Sequence, residues 1–360
     1  MRPSPYPEER TVSVAARTTR TRPAVRRALA VLVALATLPL AAAPAAAQHK
    51  PAASDPEVGY VDVAAATLWV APGTDRPVDA DATGNPVDLR AWTDGLSLDE
   101  RRWLVGELET QALYGTKVTI LDRQGEWLHV AVDGQPTPRN PLGYPGWVPA
   151  AQVSTDPAFG RSAGRPFALV TATTTGLYAD ARRTRRTLDV ALDTRLPVLA
   201  LRGSSVEVAT PDRGPAWLAA TAVHVYRTAG DIPKPTGAAL VATAMRYVGL
   251  PYVWAGTSSW GFDCSGFTHT VYDVHGVTIP RDADAQYAAG TPVADDALRP
   301  GDLLFYAHAN GYVHHVGMYV GHGYEIDAPN NTGTEVSRVE VVKVAEHRYA
   351  AEYAGARRFL

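Results

Sequence analysis

Short alternating runs of hydrophobic and polar residues predict β-strands through the first half of the chain. Two of these runs, KVTIL from Lys117 and WLHVAV from Trp127, are separated by a short segment containing Gly125, a spacing typical of a β-hairpin. Further extended runs lie at Tyr60–Val63, Thr67–Val70 and Gly146–Pro149. We therefore predict an all-β module over 57–156, a five-stranded barrel interrupted by one short helix at Ser97–Glu107.

A second stretch with the same pattern occupies residues 160–230. Its predicted strands are Phe167–Thr171, Leu188–Ala191, Arg195–Leu201, Ser205–Ala209, Ala216–Ala219 and Val223–Tyr226. Turn-forming residues separate these strands, as they do in the first stretch. We interpret 160–230 as a second, degenerate copy of the first module.

After residue 233 the pattern changes to helices mixed with strands. Apolar residues at helical spacing predict a helix over Gly237–Tyr247. A second helix begins at Asp263, a good N-cap residue, and Gly276 is its stop signal. Its apolar positions are Phe267, Val271 and Val274. The predicted fold class is α+β, with the mixed domain over 233–360 preceded by two small β-modules.

The second of these helices carries the only cysteine of the chain, Cys264. A lone cysteine can form an intermolecular disulfide, stay buried and inert, or act as a nucleophile. In the first turn of a helix, the unpaired N–H groups and the helix dipole stabilise a thiolate. We therefore predict that Cys264 is a reactive thiolate, which is alkylated quickly at pH values below the ordinary cysteine pKa of about 8.5.

A thiolate nucleophile needs a base within hydrogen-bond reach. The run His315–Val320 alternates, so that His315, Gly317 and Tyr319 share one face while apolar residues pack on the other. We predict His315 as the base, on the face that turns toward Cys264. His314 points the opposite way and is predicted to be a bystander.

The base in turn needs an orienting partner, and the next strand offers one. A tight turn at Gly321–Gly323 returns the chain as a strand that ends at Asp327. If the hairpin is centred near Gly321, Asp327 lies opposite His315 and Glu325 lies opposite Gly317. This register predicts that Asp327 holds the imidazole.

Residues 1–47 have the organisation of a signal peptide. Five arginines between positions 17 and 27 precede an apolar run over Ala28–Leu40, and Ala45–Ala47 form a small-residue cleavage site. The apolar run is shorter than the roughly 20 residues that a membrane span needs. We expect export by the Sec or the twin-arginine route, with no stable membrane insertion after cleavage.

Composition excludes some partners. The formal net charge of −3 provides no basic surface for a nucleic acid, so neither DNA nor RNA is expected as a partner. One cysteine and scattered histidines give no zinc-ligand spacing, so no metal and no cofactor are expected. His308, His322 and His347 are predicted to be surface or structural residues.

Four motifs in the last third of the chain resemble those of the NlpC/P60 family. In the family's order they are PYVWAGTSSWGFDCSGF from Pro251, IPRDADAQ from Ile279, RPGDLLFY from Arg299 and HHVGMYVG from His314. The family comprises papain-like cysteine peptidases that cut cell-wall peptides. The resemblance covers 233–360 and implies that Cys264 is the nucleophile and His315 the base. Asp327 matches the third polar position, where the family most often has His.

The first module resembles a bacterial SH3-type domain in the stretches ETQALYGTKVTILDRQGEWLHVAV and QPTPRNPLGYPGWVP. The second module resembles a weaker copy. More narrowly, the first is similar to that of a subgroup which cuts γ-D-glutamyl–diamino acid bonds in wall peptides with a free N-terminal L-Ala. This resemblance implies that Glu109 and Tyr144 bind the free α-amine. A surface ion pair is the alternative role for Glu109.

The same resemblance assigns other residues to the substrate. Tyr252 matches a tyrosine beside the nucleophile whose hydroxyl can donate to the reacting carbonyl oxygen, with the Cys264 N–H as second donor. Asp263, Ser265 and Asp282 match positions that bind the N-terminal side of the substrate. Helix capping is the structural alternative for Asp263 and Ser265.

We therefore expect a secreted or envelope-located, monomeric thiol protease that acts on peptidoglycan stem peptides. Diaminopimelate and lysine both remain open as the third substrate residue. Two alternative functions remain: an amidase or acyltransferase on the same scaffold, and a wall-binding protein with an inactive catalytic domain. The match at Glu109 and Tyr144 argues against the first, and intact Cys264 and His315 argue against the second.

Overall fold

Three antiparallel sheets of six or seven strands follow one another along the chain in the computed structural model, which describes residues 56–360, and a two-stranded sheet precedes the third of them. The predicted signal peptide, 1–47, lies outside the described residues. Within them, none of the helices combines the length and the apolar character that crossing a membrane requires.

The first sheet has seven strands rather than the predicted five. They are β1 (Val58–Val61), β2 (Ala65–Trp69), β3 (Leu108–Leu113), β4 (Lys117–Gln124), β5 (Trp127–Val132), β6 (Tyr144–Pro149) and β7 (Val153–Ser154), in the spatial order β3-β2-β6-β5-β4-β1-β7. The predicted hairpin is β4–β5, and Gly125 in its turn has a φ of 56°, a conformation that favours glycine. Strand β3 was not predicted, because two of its buried residues, Thr110 and Gln111, are polar.

Three short helices separate β2 from β3, although the sequence predicts only one. They are α1 (Ala80–Thr83), α2 (Leu89–Gly95) and α3 (Leu98–Trp103). The predicted cap of α3 is present, because Ser97 Oγ accepts a hydrogen bond of 3.3 Å from Glu100 N–H while Glu100 Oε2 accepts one of 2.7 Å from Ser97 N–H. Helix α2 buries Trp92, whose indole N–H donates to Asp79 at 3.0 Å.

The second sheet repeats the first strand for strand. After α4 (Pro157–Gly160) come β8 (Phe167–Val170), β9 (Thr174–Tyr178), β10 (Arg186–Ala191), β11 (Arg195–Arg202), β12 (Ser205–Val208), β13 (Ala216–Ala219) and β14 (Val223–Tyr226). Their spatial order, β10-β9-β13-β12-β11-β8-β14, is that of the first sheet with seven added to each number. This identity of topology supports the interpretation as a duplicated module.

The remaining elements form a mixed α+β layer structure. They are α5 (Gly237–Ala244), β15 (Thr257–Ser258), β16 (Gly261–Phe262), α6 (Cys264–Asp273), α7 (Ala283–Ala289), β17 (Thr291–Val293), β18 (Leu303–Ala307), β19 (Val313–Gly321), β20 (Tyr324–Asp327), β21 (Glu340–Lys343) and β22 (Tyr353–Arg358). The six-stranded sheet has the order β17-β22-β18-β19-β20-β21. Helix α6 packs Phe267 and Val271 against Val316 and Met318 of the central strand β19, which fixes the start of α6 beside that strand.

Helix boundaries differ from the predictions by a turn or less. Helix α5 ends at Ala244 and continues as a 3₁₀ turn over Met245–Tyr247. Helix α6 ends at Asp273, and Gly276, the predicted stop, follows with a φ of 77° and donates its N–H to Asp273 O at 2.8 Å. The predicted stop signal therefore acts just beyond the last helical residue.

Candidate active site

Cys264 is the first residue of α6, where the chain leaves the small β15–β16 hairpin. Asp263 caps the helix as predicted, because its Oδ1 accepts a hydrogen bond of 2.6 Å from the backbone N–H of Gly266. The thiol is half-buried, and the backbone N–H of Val316 on β19 lowers its pKa. Helix α6 packs against β19, so the cysteine lies beside the strand that carries the predicted base.

The pKa of Cys264 departs from the prediction of a stabilised thiolate. Burial, reinforced by the neighbouring Asp263 carboxylate, raises the pKa of the thiol to about 12. The N–H groups of Val316 and Ser265 act in the opposite direction, as a helix N-terminus should, but they do not compensate. The free site therefore holds a neutral thiol, and the thiolate forms when a base accepts its proton.

A buried arginine with no predicted role organises the start of α6. The side chain of Arg281 is 1% exposed and donates to Asp263 at 2.6 and 3.1 Å and to Ser265 Oγ at 3.0 Å. Burial lowers the pKa of Arg281, but the Asp263 carboxylate outweighs burial and raises the pKa above its usual value. Breaking such a buried pair typically costs about 3–5 kcal/mol, so Arg281 locks both residues in place.

His315 and Asp327 make the predicted contact, but the predicted register is wrong. Nε2 of His315 lies 2.8 Å from Asp327 Oδ2, and both side chains are almost fully buried. In the β19–β20 hairpin, Asp327 pairs with Gly317, two residues from the predicted partner, because the turn is formed by His322–Gly323 and is not centred near Gly321. The bulge between Tyr319 and Gly321 offsets one residue of this displacement. A shift of two residues keeps Asp327 on the same face, so its carboxylate reaches His315 diagonally.

Gly317 leaves the space in which this diagonal contact forms. The sequence predicts Glu325 opposite Gly317, but Glu325 pairs with Tyr319. A Cβ at position 317 would lie 2.6 Å from Glu325 Oε2 and 3.1 Å from the Cβ of Asp327. A side chain at this position would push the end of the Glu325 side chain aside and crowd Asp327, so a glycine suits the site.

His347 completes a buried cluster that the sequence does not reveal. The sequence predicts that His347 is a surface or a structural residue. The surface alternative is wrong, because the side chain is 1% exposed. Its Nδ1 accepts the N–H of Tyr349 at 3.2 Å, so Nε2 carries the proton and donates to Asp327 Oδ2 at 3.2 Å. The His347 ring stacks on that of His315 with centroids 5.3 Å apart. Asp327 therefore holds two imidazoles at once.

Burial and hydrogen bonding set the charges of these groups. Burial lowers the pKa of His315, although Asp327 opposes this effect. Burial also raises the pKa of Asp327, but hydrogen bonds from His315 and His347 outweigh it and hold the pKa below its usual value. The free site thus contains an ionised aspartate and a neutral His315 whose Nδ1 remains available to take a proton.

Two tyrosines lie close to the thiol. Tyr252 is buried, and burial together with the nearby Cys264 and Asp263 raises the pKa of its hydroxyl well above the usual value. The hydroxyl therefore stays protonated and can donate a hydrogen bond, as its predicted role requires. Tyr349, which has no predicted role, has its ring centroid 5.0 Å from that of His315.

Three of the residues predicted to bind substrate form one hydrogen-bonded chain with an unpredicted arginine. Tyr144 donates its hydroxyl to Asp282 Oδ1 at 3.1 Å and accepts from Arg139 Nη1 at 3.2 Å. Arg139 also binds both carboxylate oxygens of Glu109, with Nη2 2.8 Å from Oε1 and Nη1 on Oε2. Burial raises the pKa of Asp282 to about 6, although Arg281 opposes this effect.

Strand β3 of the first module lies directly against the catalytic part of the chain. Gln111 Oε1 accepts the hydroxyl of Ser258 at 2.8 Å, and Gln111 O accepts the hydroxyl of Thr257 at 3.0 Å. Thr110 Oγ1 accepts Nε of Arg281 at 3.0 Å. The ETQ segment that carries Glu109 is therefore part of the wall around α6, which explains why its buried face is polar.

The sequence shows no metal-ligand spacing, but the fold brings potential metal ligands together from separate segments. Among residues 56–360, two groups of three side chains have potential ligand atoms within 4.8 Å of one another. They are His315, Asp327 and His347, and His308, His314 and Glu352. His308 is exposed as predicted, and so is His322 in the β19–β20 turn. His314 bonds Glu352 at 2.6 Å.

Comparisons with known proteins identify the family of the chain. Residues 249–358 match the family model described as NlpC/P60 family, and residues 170–226 match the model described as YKFC SH3b2 domain. The γ-D-glutamyl-L-lysine dipeptidyl-peptidase of Bacillus cereus is 46% identical over 305 residues, which are 84% of this chain and 90% of that protein. A Bacillus subtilis protein of the same name is 34% identical over 300 residues, 82% of this chain and 96% of that protein.

The fold comparison gives the same result. A crystal structure of an NlpC/P60 family protein from Bacillus cereus matches with a TM-score of 0.80 at 46% identity, covering 84% of this chain and 99% of that one. A half-buried cysteine at a helix N-terminus, beside a histidine held by an aspartate, defines a cysteine peptidase with α+β architecture. The chain belongs to the NlpC/P60 family and carries an SH3b domain, as its motifs predict.

Proposed function

We propose that this peptidase hydrolyses the γ-D-glutamyl–diamino acid bond of peptidoglycan stem peptides whose N-terminal L-Ala is free. The observation that carries the proposal is the contact between Tyr144 of the first module and Asp282 of the catalytic part, beside Glu109. Two carboxylates and a hydroxyl form a suitable site for an ammonium group. The names of the Bacillus relatives support this bond and favour lysine as the diamino acid.

In the proposed mechanism, Cys264 attacks the γ-carbonyl carbon while Nδ1 of His315 takes the thiol proton. His315 then gives this proton to the leaving amine of the diamino acid, and a thioester remains. Water, deprotonated by His315, hydrolyses the thioester and releases L-Ala-γ-D-Glu. Asp327 keeps the imidazole oriented and favours the imidazolium that forms at each step.

Two donors support the negative charge that develops on the carbonyl oxygen. The N–H of Cys264 lies in the first turn of α6, where backbone donors have no partner within the helix. The hydroxyl of Tyr252 is protonated and buried near the thiol. We assign these two groups to the oxyanion site, because donors fixed in a water-poor site stabilise a transition state most strongly.

The proposed setting is the cell envelope. Family members act on the wall, and the signal peptide predicted over 1–47 provides the means of export, by either the Sec or the twin-arginine route. The enzyme is expected to act there on soluble wall peptides as a monomer. Sequencing the N-terminus of the secreted protein tests cleavage after Ala47.

Digestion of L-Ala-γ-D-Glu-L-Lys tests the proposed activity directly. The expected products are L-Ala-γ-D-Glu and free lysine, identified by mass. An acyltransferase would instead join the dipeptide to an added amine, and an amidase would leave this peptide uncut and release a different group from wall fragments. A wall-binding protein would yield no product. The matching diaminopimelate peptide compares the two diamino acids under the same conditions.

Glu109→Gln should remove most of the preference for a free amine. The wild-type enzyme is expected to cut free peptides at least about tenfold better than N-acetylated ones, because an acetylated amine loses its charge-assisted hydrogen bonds to Glu109, which contribute roughly 1.5–3 kcal/mol. The glutamine keeps the shape but not the charge, so the ratio of kcat/KM for free and acetylated peptides should approach one.

Glu126→Gln is the matched control, because Glu126 is an exposed acid in the β4–β5 turn of the same module. It should keep the wild-type preference. Equal rates of the wild-type enzyme on free and acetylated peptides would show that the first module is only a spacer or wall anchor.

Arg139 occupies the place proposed for the substrate ammonium, so it should weaken binding. Its guanidinium rests on both oxygens of Glu109 and on the Tyr144 hydroxyl, and the incoming ammonium has to displace it. A half-exposed ion pair of this kind contributes up to about 1 kcal/mol. Because Arg139 competes for the same site, it reduces the apparent affinity for the substrate in proportion to the fraction of molecules in which it occupies that site. Arg139→Gln should therefore lower KM for free peptides about three- to fivefold, with kcat nearly unchanged.

Arg123→Gln provides the control for Arg139, since Arg123 forms an exposed ion pair with Glu57 in the same module. It should leave KM unchanged. A rise in KM for Arg139→Gln would contradict the competition and show that the guanidinium binds a carboxylate of the substrate instead.

A further inference from the structure

A second group of potential metal ligands lies outside the proposed Cys264–His315–Asp327 triad. His308 lies in the turn between β18 and β19, His314 lies on β19, and Glu352 ends the 3₁₀ turn before β22. The three side chains come from separate segments of the chain, so no local spacing in the sequence could reveal them. Only the sheet brings them together.

Two irregularities of the sheet direct these side chains toward one another. Strand β18 pairs Tyr306 with His315 and Ala307 with Val313, which leaves His314 as the extra residue of a bulge. On its other side, β18 pairs Phe305 with Gly355 and Tyr306 with Tyr353, a second bulge at the same level. Bulges re-aim side chains, and here both lie next to the ligands on the two strands that flank β18.

The ligand atoms have separations close to those of a metal site. His314 Nε2 lies 2.6 Å from Glu352 Oε2, and His308 Nδ1 lies 3.7 Å from Glu352 Oε1. Two ligands on a tetrahedral zinc ion with bonds of about 2.0–2.1 Å are about 3.3 Å apart, between these two values. The imidazole rings of His308 and His314 are stacked at 3.9 Å, so His308 has to tilt out of the stack to bind. Its side chain is 52% exposed, which leaves it free to do so.

We propose that His308, His314 and Glu352 bind a divalent transition-metal ion, with Zn²⁺ as the best fit. Two imidazoles and one carboxylate are a ligand set that zinc uses in proteins. The Glu352 side chain is 39% exposed, so a water molecule can complete the coordination from solvent. Imidazole ligands exclude Mg²⁺ and Ca²⁺, which require oxygen ligands.

The site lies one residue from the proposed base. His314 directly precedes His315, and the ring of Tyr349 packs edge-on against His314 at 4.9 Å while lying 5.0 Å from His315. A metal ion at His314 is therefore attached to the same strand and the same tyrosine as the proposed catalytic histidine. A metal ion at this site should not coordinate His315, because His314 contacts Glu352 whereas His315 contacts Asp327.

Equilibrium dialysis of the full-length protein against Zn²⁺, followed by measurement of bound metal, tests the proposal. The wild-type protein should bind one Zn²⁺ ion. His308→Ala and Glu352→Gln should each raise the dissociation constant for this ion at least tenfold. Both positions are partly exposed, so both variants should fold, and peptidase activity in the presence of a chelator should equal that of the wild type. His322→Asn is the matched control, an exposed turn histidine at positive φ that should keep the wild-type affinity.

Two outcomes would overturn the proposal. Failure of the wild-type protein to bind Zn²⁺ would show that His314 and Glu352 form only a surface ion pair. Unchanged binding in His308→Ala and Glu352→Gln, together with complete loss of activity when Zn²⁺ is added, would place the ion at His315, Asp327 and His347 instead. Neither outcome bears on the proposed peptidase reaction, which is measured without metal.

Discussion

Replacing Cys264 with alanine should abolish hydrolysis while the protein stays folded. Removal of a nucleophile that acts as one unit with its base typically lowers kcat by about 10⁴-fold or more. The loss of stability should be small, because Cys264 is only half-buried and the Asp263–Arg281 pair that fixes the start of α6 is untouched. Product formation from L-Ala-γ-D-Glu-L-Lys measures the first effect, and thermal unfolding measures the second.

The same residue predicts how alkylation depends on pH. Because burial and Asp263 raise the pKa of Cys264 to about 12, the thiolate fraction of the free enzyme should rise about tenfold per pH unit from neutral pH to about pH 10. The wild-type protein should therefore be labelled faster at each step, and the alanine variant should not be labelled. A plateau already at pH 7 would show that a thiolate–imidazolium pair exists without substrate. Wild-type hydrolysis by Cys264→Ala would exclude the mechanism altogether.

Replacing Asp327 with alanine should lower kcat by about 10²- to 10⁴-fold and change KM little. The carboxylate holds Nε2 of His315 at 2.8 Å but has no proposed contact with the substrate, so its loss disorients the base. Asn and His variants should keep more activity than Ala, because both can still hydrogen-bond the imidazole. Steady-state kinetics of the three variants on one free peptide give the comparison.

The melting temperatures of the Asp327 variants distinguish a loss of His315 orientation from a loss of folding. Asp327→Ala leaves two buried imidazoles without an acceptor, and each unpaired buried polar group costs about 1–3 kcal/mol. We therefore expect a lowered melting temperature for Ala and a smaller change for Asn. Asp296→Ala, which removes an exposed acid, is the control for both measurements. Equally slight effects of Ala and Asn on kcat would mean that another residue orients His315.

The β19–β20 hairpin shows what a strand pattern can and cannot predict. Alternation alone places His315 and Asp327 on one face, and that prediction is confirmed, because it depends only on the two-residue period of a strand. The pairing itself is wrong by two residues, because the turn of the hairpin lies at His322–Gly323 and is not centred near Gly321. The contact forms all the same because Gly317 leaves room for a diagonal approach.

The charged residues around the site show the limit of local patterns most clearly. Nothing near Arg281 or Arg139 in the sequence marks them as partners of Asp263 and Glu109. The partners are 18 and 30 positions apart within one module, so each pair depends on how that module folds. The pKa of Cys264 is raised for the same reason: the helix terminus is a local feature, whereas burial is a property of the assembled site.

The sequence by itself determined the family, the α+β class, the cap at Asp263 and the position of Cys264 in the first turn of α6. These features rest on motifs and on hydrogen bonds between near neighbours in the chain, which tertiary packing does not change. Only the tertiary structure decided the hairpin register, the buried position of His347, the pairing of Arg139 with Glu109 and the convergence of His308, His314 and Glu352. Each of these depends on which distant segments meet and on how much water their contact excludes, and neither quantity is encoded in a local stretch of residues.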